Sequence, residues 1–262
     1  MSEVYSTIVQ NLLVPIYDLS RNTHRYKYRR ILEKTQYLSR KEISSLQSKN
    51  LRALITHAYT TVPYYHRIFK ERGLRPEDIK CVLDLSKLPV LTKSDVRRNF
   101  TDLTSTDYSR NQLIPYETGG TGSPLKFYIT RDKISWEIAA EYRAYGWANY
   151  RLGDRCFMFW GSHRDLHTNI LKKATSLLQR TIAVDPFVLS DEVLTNFAVM
   201  LRKFNPEVIR GYAAPVYMMA KYLLEEGITD LQPKAVITGA ETLFDQMRKT
   251  IEKAFGCPVF DF

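Results

Sequence analysis

From residue 132 onward, short continuous apolar runs alternate with segments of helical periodicity, and that alternation leaves few architectures open. An amphipathic helical pattern over 133–150 stops near Gly153 and is followed by the apolar run Arg155-Cys-Phe-Met-Phe-Trp160. Helical spacing returns over 166–178, 191–204 and 215–226, and strand-like runs lie at 181–184, 207–210, 234–238 and 258–262. Strands that alternate with helices predict an α/β fold with a mostly parallel sheet and helices on its faces. Ligands of such sheets sit beyond the carboxyl ends of the strands. Two strand ends have suggestive chemistry, Trp160-Gly-Ser-His-Arg164 and Ala235-Val-Ile-Thr-Gly-Ala-Glu241.

The first hundred residues read differently, as helical and irregular. Helical apolar spacing over 51–58 is stopped by Val62-Pro63, because a residue before proline disfavours the helical region. A second helix restarts at Tyr64 and ends near Gly73, a C-cap residue. Thr92-Lys-Ser-Asp95 reads as a helix start. The sequence therefore predicts a helical N-terminal region, 1–100, packed on an α/β nucleotide-binding core, 101–262. It contains no internal repeat and no low-complexity tract.

With 44% hydrophobic and 25% charged residues, the composition is that of a globular domain. No apolar run reaches the roughly 18 residues of a membrane-spanning helix, and the N-terminus lacks the basic and small-residue pattern of a secretory signal. A cytoplasmic protein is expected. Three cysteines, Cys81, Cys156 and Cys257, are widely spaced with no CxxC or Cys/His cluster, so they read as buried free thiols rather than as zinc ligands or a disulfide framework. The net charge of +10 draws anionic ligands or surfaces. Its local concentration, His24-Arg-Tyr-Lys-Tyr-Arg-Arg30, reads as a solvated helix face, with an anionic membrane surface as the alternative. No nucleic-acid-binding signature accompanies the charge, and nucleic acid is not expected as a partner.

The stretch 115–130, PYETGGTGSPLKFYIT, holds three glycines between two β-prone runs. A hairpin turn needs one or two permissive residues; the surplus of backbone amides and hydroxyls suits an anion such as phosphate. It is not a Walker loop, because Lys126 follows Leu125 rather than glycine, and it is not a dinucleotide fingerprint, because Leu125 stands where the third glycine belongs. A glycine-rich surface hairpin is the plain structural alternative.

Several segments, taken in order, resemble the phenylacetate–coenzyme A ligase and CapK-like branch of the adenylate-forming enzymes: HAYTTVPYYHRIF (57–69), LSKLPVLTKSDVR (85–97), TGGTGSPL (118–125), ITGAETL (237–243) and CPVFDF (257–262). The resemblance spans roughly residues 50–262 and implies a truncated adenylate-forming large domain. It implies use of ATP, Mg²⁺ and coenzyme A, with Thr118, Gly119, Gly120, Thr121 and Gly122 on the phosphates. Gly239, Ala240 and Glu241 would line the adenine slot, Asp261 its edge, and Trp160, His163 and Tyr212 an acyl pocket. Each has a bland reading: Glu241 as an acid opening the following helix, Asp261 as a solvent-facing strand residue, His163 as a loop histidine, and Trp160 and Tyr212 as core aromatics.

Two departures stand out. The loop ETGGTGSP has one hydroxyl residue fewer than the family pattern, or Gly120 in its place. The chain as given stops at Phe262, where the family's Tyr-Gly-x-x-Glu, with its magnesium-binding glutamate, would begin; the ribose-binding aspartate and the domain with the catalytic lysine would follow. No catalytic residue and no metal ligand is therefore assigned. The resemblance implies a carboxylate–coenzyme A ligase or the N-terminal part of one, linked to capsular or envelope polysaccharide biosynthesis. The alternatives are a non-catalytic nucleotide-binding remnant and a membrane-peripheral accessory protein.

Overall fold

The structure, a computed structural model, describes residues 2–118, 123–161 and 178–262. The chain forms two compact units, one of residues 22–138 and the other of residues 1–21 with 139–262.

In the 22–138 unit the helices Arg25–Thr35, Arg40–Thr61, Pro63–Glu71 and Lys93–Arg98 precede a two-stranded antiparallel hairpin of β1 (Ile114–Glu117) and β2 (Lys126–Ile129). Local chemistry sets the helix ends. Ser39 with Glu42, and Thr92 with Asp95, form reciprocal capping boxes that satisfy backbone N–H groups left free at a helix start. Val62 is extended, as its position before Pro63 requires, and Pro63 opens the next helix at N1. Gly73 has a φ of +62°, the left-handed conformation expected after that helix. Ile55, Phe69 and Ile79 form a small buried core, with Leu51, Tyr59, Leu74 and Leu88 against it.

The other unit is built on a five-stranded, all-parallel sheet of β3 (Cys156–Phe159), β4 (Thr181–Val184), β5 (Val208–Tyr212), β6 (Ala235–Gly239) and β7 (Val259–Asp261), in the order β4-β3-β5-β6-β7. The α/β class and the mostly parallel sheet are as the apolar runs predict. The alternation of faces is strict: Phe157, Phe159, Ile209, Val236 and Val259 join one core, while Cys156, Val208, Ala235 and Ile237 join a second. Successive strand residues point to opposite faces, and both faces are covered, so these strands read as unbroken apolar runs. The first core packs against the helices Asp191–Phe204, Ala213–Glu225 and Asp245–Phe255. The predicted helix at 166–178 falls, except for Leu178, outside the described residues.

The helical stretch from Ser2 to Arg21, α-helical but for a π-helical segment Val9–Leu13, belongs to this second unit. A polar node ties it in. Asp154, 2% exposed, accepts hydrogen bonds from Ser6 Oγ at 2.7 Å, from the Arg151 backbone N–H at 2.7 Å and from Lys234 Nζ at 2.6 Å. Gly153 (φ +100°) lets the backbone pass close by: a Cβ there would lie 3.1 Å from Ser6 Cα and from Val9 Cγ2. One expectation needs correction. Cys156 and Cys257 are buried, but Cys81 is partly exposed; it precedes a short 3₁₀ turn whose Asp84 accepts its backbone N–H.

Asp154→Ala removes three hydrogen bonds made by a buried carboxylate, one of them to the partly exposed Lys234, and should lower unfolding stability by about 2 kcal/mol. Urea titration followed by circular dichroism measures this, and a loss below about 1 kcal/mol, the scale of an exposed pair, would contradict the role given to the node.

Candidate functional site

A cleft of about 390 Å³ opens in the sheet unit at the carboxyl ends of β3, β5 and β6, bordered by the 140–145 stretch of the helix Arg131–Trp147 and by Phe262. Its size falls within the range of small-molecule sites. The strand order reverses between β3 and β5, and at such a switch point diverging connections leave a crevice. Trp160 follows β3 and Tyr212 ends β5; their rings stack 4.4 Å apart at 9° across this point. Phe187 adds a third ring, 5.8 Å from Tyr212. Trp160 remains 37% exposed and lines the cleft, so its ring is not core filling.

Two glycines that line the cleft let neighbouring segments pack closely there. A Cβ on Gly211 would meet Phe159 Cβ at 2.7 Å and Val216 Cγ2 at 2.9 Å, and one on Gly239 would meet the Phe262 carbonyl oxygen at 2.9 Å. Ala240 then turns the chain with a φ of +64°, a left-handed conformation costing a non-glycine residue about 1–2 kcal/mol. The hydroxyl of Thr238, buried just before, donates to Asp261 Oδ1 at 2.7 Å, which fixes that carboxylate at the edge strand. Glu241 does not open the following helix, which begins at Asp245. Its Oε2 instead accepts the backbone N–H of Ala214 at 2.9 Å, placing a negative charge at the N-terminus of the helix Ala213–Glu225, where the helix dipole favours it.

The structure thus brings Trp160, Tyr212, Gly239, Ala240, Glu241 and Asp261 to the strand ends of one unit. Thr118 stands in the other unit at the neck of the β1–β2 hairpin, where its N–H donates to Leu125 O and its Oγ1 accepts from Leu125 N–H, both at 3.0 Å. Gly119, Gly120, Thr121, Gly122 and His163 lie outside the described residues. Among the described residues no group of three or more His, Cys, Asp or Glu is placed to hold a metal, so no residue is assigned to Mg²⁺.

Sequence reasoning passed over Arg210, Arg143 and Tyr145. Arg210 interrupts the apolar run of β5 and lines the cleft. Its guanidinium lies 3.9 Å from the Tyr145 ring centre, donates to the Tyr145 hydroxyl, and is 5.9 Å from the Tyr150 ring. Burial pulls its pKa down, the surrounding Cys156, Tyr145, Tyr150 and Glu141 groups push it up, and the net shift is upward. Burial also raises the Tyr145 phenol to about 12 and the Cys156 thiol to about 11, with the Arg210 cation opposing both shifts. The signal available in the sequence was a lone cation inside an apolar strand run.

CapK of Staphylococcus aureus is 28% identical over 261 residues, which cover 96% of this chain and 56% of CapK. The phenylacetate–coenzyme A ligase of Pseudomonas putida is 28% identical over 238 residues, covering 89% of this chain and 53% of that enzyme; the one from Escherichia coli (strain K12) is 29% identical over 231 residues, 84% and 50%. No protein-family model matches the chain. A crystal structure of 2-hydroxyisobutyryl-CoA ligase in the postadenylation state with 2-HIB-AMP superposes with a TM-score of 0.65 at 18% identity, covering 86% of this chain and 49% of that one. The fold is that of an acyl-CoA ligase domain. In sequence the chain is similar to CapK and to phenylacetate–coenzyme A ligases, which the ordered segments of its sequence also resemble. It spans about half the length of the curated relatives it matches.

The raised Cys156 pKa has a pH consequence. The folded state keeps this proton while the unfolded chain releases it near the ordinary value of 9.0, so stability falls as pH rises from about 9 to about 11. Urea midpoints across this window should decline, and Cys156→Ala should flatten the decline; an unchanged slope in the variant would remove the thiol from the explanation.

Proposed function

We propose that this chain provides the nucleotide- and acyl-binding elements of an adenylate-forming ligase. The observation that carries the reading is the cleft at the carboxyl ends of β3, β5 and β6, lined by Trp160, whose ring stacks on Tyr212, and by the closely packed Gly211 and Gly239. In the reaction proposed, a carboxylate oxygen attacks the α-phosphorus of ATP and pyrophosphate leaves. The coenzyme A thiol then attacks the acyl carbon, and AMP leaves with the electron pair of the broken C–O bond. Coenzyme A contributes the thiol nucleophile, and Mg²⁺ charge neutralisation on the phosphates; no step here is assigned to residues that would hold the metal.

This chain's own residues bind and orient. Thr118 and Gly119 to Gly122 are proposed to take the phosphates through amides and hydroxyls, a form of charge stabilisation that needs position more than reactivity. The Gly239–Ala240 turn, with Glu241 and Asp261 held by their partners, is proposed to receive adenine, and Trp160, His163 and Tyr212 to wall the acyl group. A place in capsular or envelope polysaccharide biosynthesis is proposed from the likeness to CapK, as is a cytoplasmic location.

The test is calorimetric. ATP should bind the 262-residue chain, and Gly239→Val should weaken binding by about ten-fold or more, since displacing a backbone wall removes roughly 1.4 kcal/mol or more of contact. Unchanged affinity in the folded variant would reject the adenine assignment.

A second reading, a peripheral membrane protein, is favoured by one observation. Val4, Ile8, Leu12, Ile16 and Leu19 form an exposed apolar series along the helical stretch 2–21. Among the described residues no helix is long and apolar enough to cross a membrane, whereas an amphipathic helix lies in the membrane surface. The chain should then co-sediment with phosphatidylglycerol vesicles, and Leu12→Glu with Ile16→Glu should abolish this; sedimentation unaffected by the double variant would discard the reading.

A further inference from the structure

The cleft is lined by a buried guanidinium that has no close ion-pair partner among the described residues. β5 is apolar except for Arg210, whose side chain shares a sheet face with Val208 and enters the apolar cluster of Ala148, Tyr150 and Cys156. A guanidinium in such surroundings costs several kcal/mol unless an anion pairs with it. Its described partners are the Tyr145 hydroxyl and two aromatic rings, and no carboxylate among the described residues comes within 4.0 Å. Five N–H donors in a planar fork are only partly used.

A second guanidinium lines the same cleft. Arg143 lies on the helix Arg131–Trp147, its guanidinium carbon 4.7 Å from the Trp147 ring centre. Its Nε is buried and has no hydrogen-bond partner. Glu141 is the one acidic side chain among the described lining residues; it is exposed and acts on Arg210 only through its charge, without a close ion pair. Arg210 and Arg143 thus line one cleft with N–H donors still unused, and a ligand anion can take them.

Depth decides which anion belongs there. β5 ends at Tyr212, so Arg210 sits two residues inward, about 7 Å from the strand end at the usual strand rise. Its guanidinium reaches toward Tyr150 and the Cys156 thiol, at the first residue of β3. A carboxylate that must meet the α-phosphate stays at the strand ends, where ligands of parallel sheets lie. An anion at the level of Arg210 is therefore the far end of the acid.

We propose that the acid taken by this cleft carries a second carboxylate, held by Arg210 with Arg143 beside it, so that these two residues determine specificity for a diacid. The inference rests on the ligase reading of the cleft. Guanidinium is suited to the task because it engages both oxygens of a carboxylate at once.

The test compares phenylacetate with 4-carboxyphenylacetate by titration calorimetry on the 262-residue chain, without nucleotide. The diacid should bind about ten-fold or more tightly, the scale of a charge-assisted hydrogen-bonded pair. Arg210→Gln should bring the two acids within about two-fold of each other, Arg143→Gln should narrow the gap, and Arg210→Lys should keep part of it. Lys249→Gln, an exposed lysine on the helix Asp245–Phe255 that does not line the cleft, should leave the preference intact. Equal affinities in the wild type, a preference that survives Arg210→Gln, or one lost equally in Lys249→Gln overturns the proposal. If circular dichroism shows Arg210→Gln unfolded, Arg143→Gln and Arg210→Lys decide in its place. A separate ATP titration on the wild type tests the ligase reading: ATP bound with no diacid preference sinks only the inference, while no ATP binding sinks the reading beneath it.

Discussion

A parallel sheet covered on both faces has no place for polar side chains along its strands, and the site follows from that constraint. Cys156 to Phe159, Val208 to Ile209 and Ala235 to Ile237 all enter one core or the other. Polar chemistry is therefore displaced to the carboxyl ends, where the strands meet their helices and where the Trp160–Tyr212 stack, the Thr238–Asp261 hydrogen bond and the Glu241 cap are found. Arg210 is the exception among the strand residues of β5, and an exception inside a two-sided core carries information. The energy of placing a cation there has to be offset, and the Tyr145 and Tyr150 rings offset part of it.

The Asp154 node does comparable work at the opposite, amino-terminal side of the strands. It gathers the N-terminal helical stretch through Ser6 and the start of β6 through Lys234. One carboxylate with three donors satisfies its own burial and fixes segments far apart in sequence. That is how residues 1–21 come to belong with 139–262 rather than with the helices that follow them.

Legibility varied with the range of the forces involved. The helix Asp191–Phe204 was readable to the residue because its signals are local: Ser190 caps it, Leu194, Phe197, Ala198 and Leu201 repeat at helical spacing, and Asn205 ends it in a left-handed turn. The β1–β2 hairpin around the glycine loop was readable for the same reason. Cys81 was misjudged because its surroundings depend on a short turn rather than on periodicity. Glu241 was read against its own downstream helix, whereas its partner is the backbone of Ala214, twenty-seven residues earlier. Nothing in the local sequence couples those two positions.

By itself the sequence determined the α/β class, the parallel strands and the ordered segments that resemble CapK and the phenylacetate–coenzyme A ligases, because periodicity, capping and turn chemistry act over a few residues. Tertiary structure decided the reversal of strand order between β3 and β5, the stacking of Trp160 on Tyr212, and the burial of Arg210 between Tyr145 and Tyr150. Each of these joins residues dozens of positions apart, and the free energy of such contacts depends on which surfaces the packed sheet leaves open, a quantity that exists only once the chain has folded.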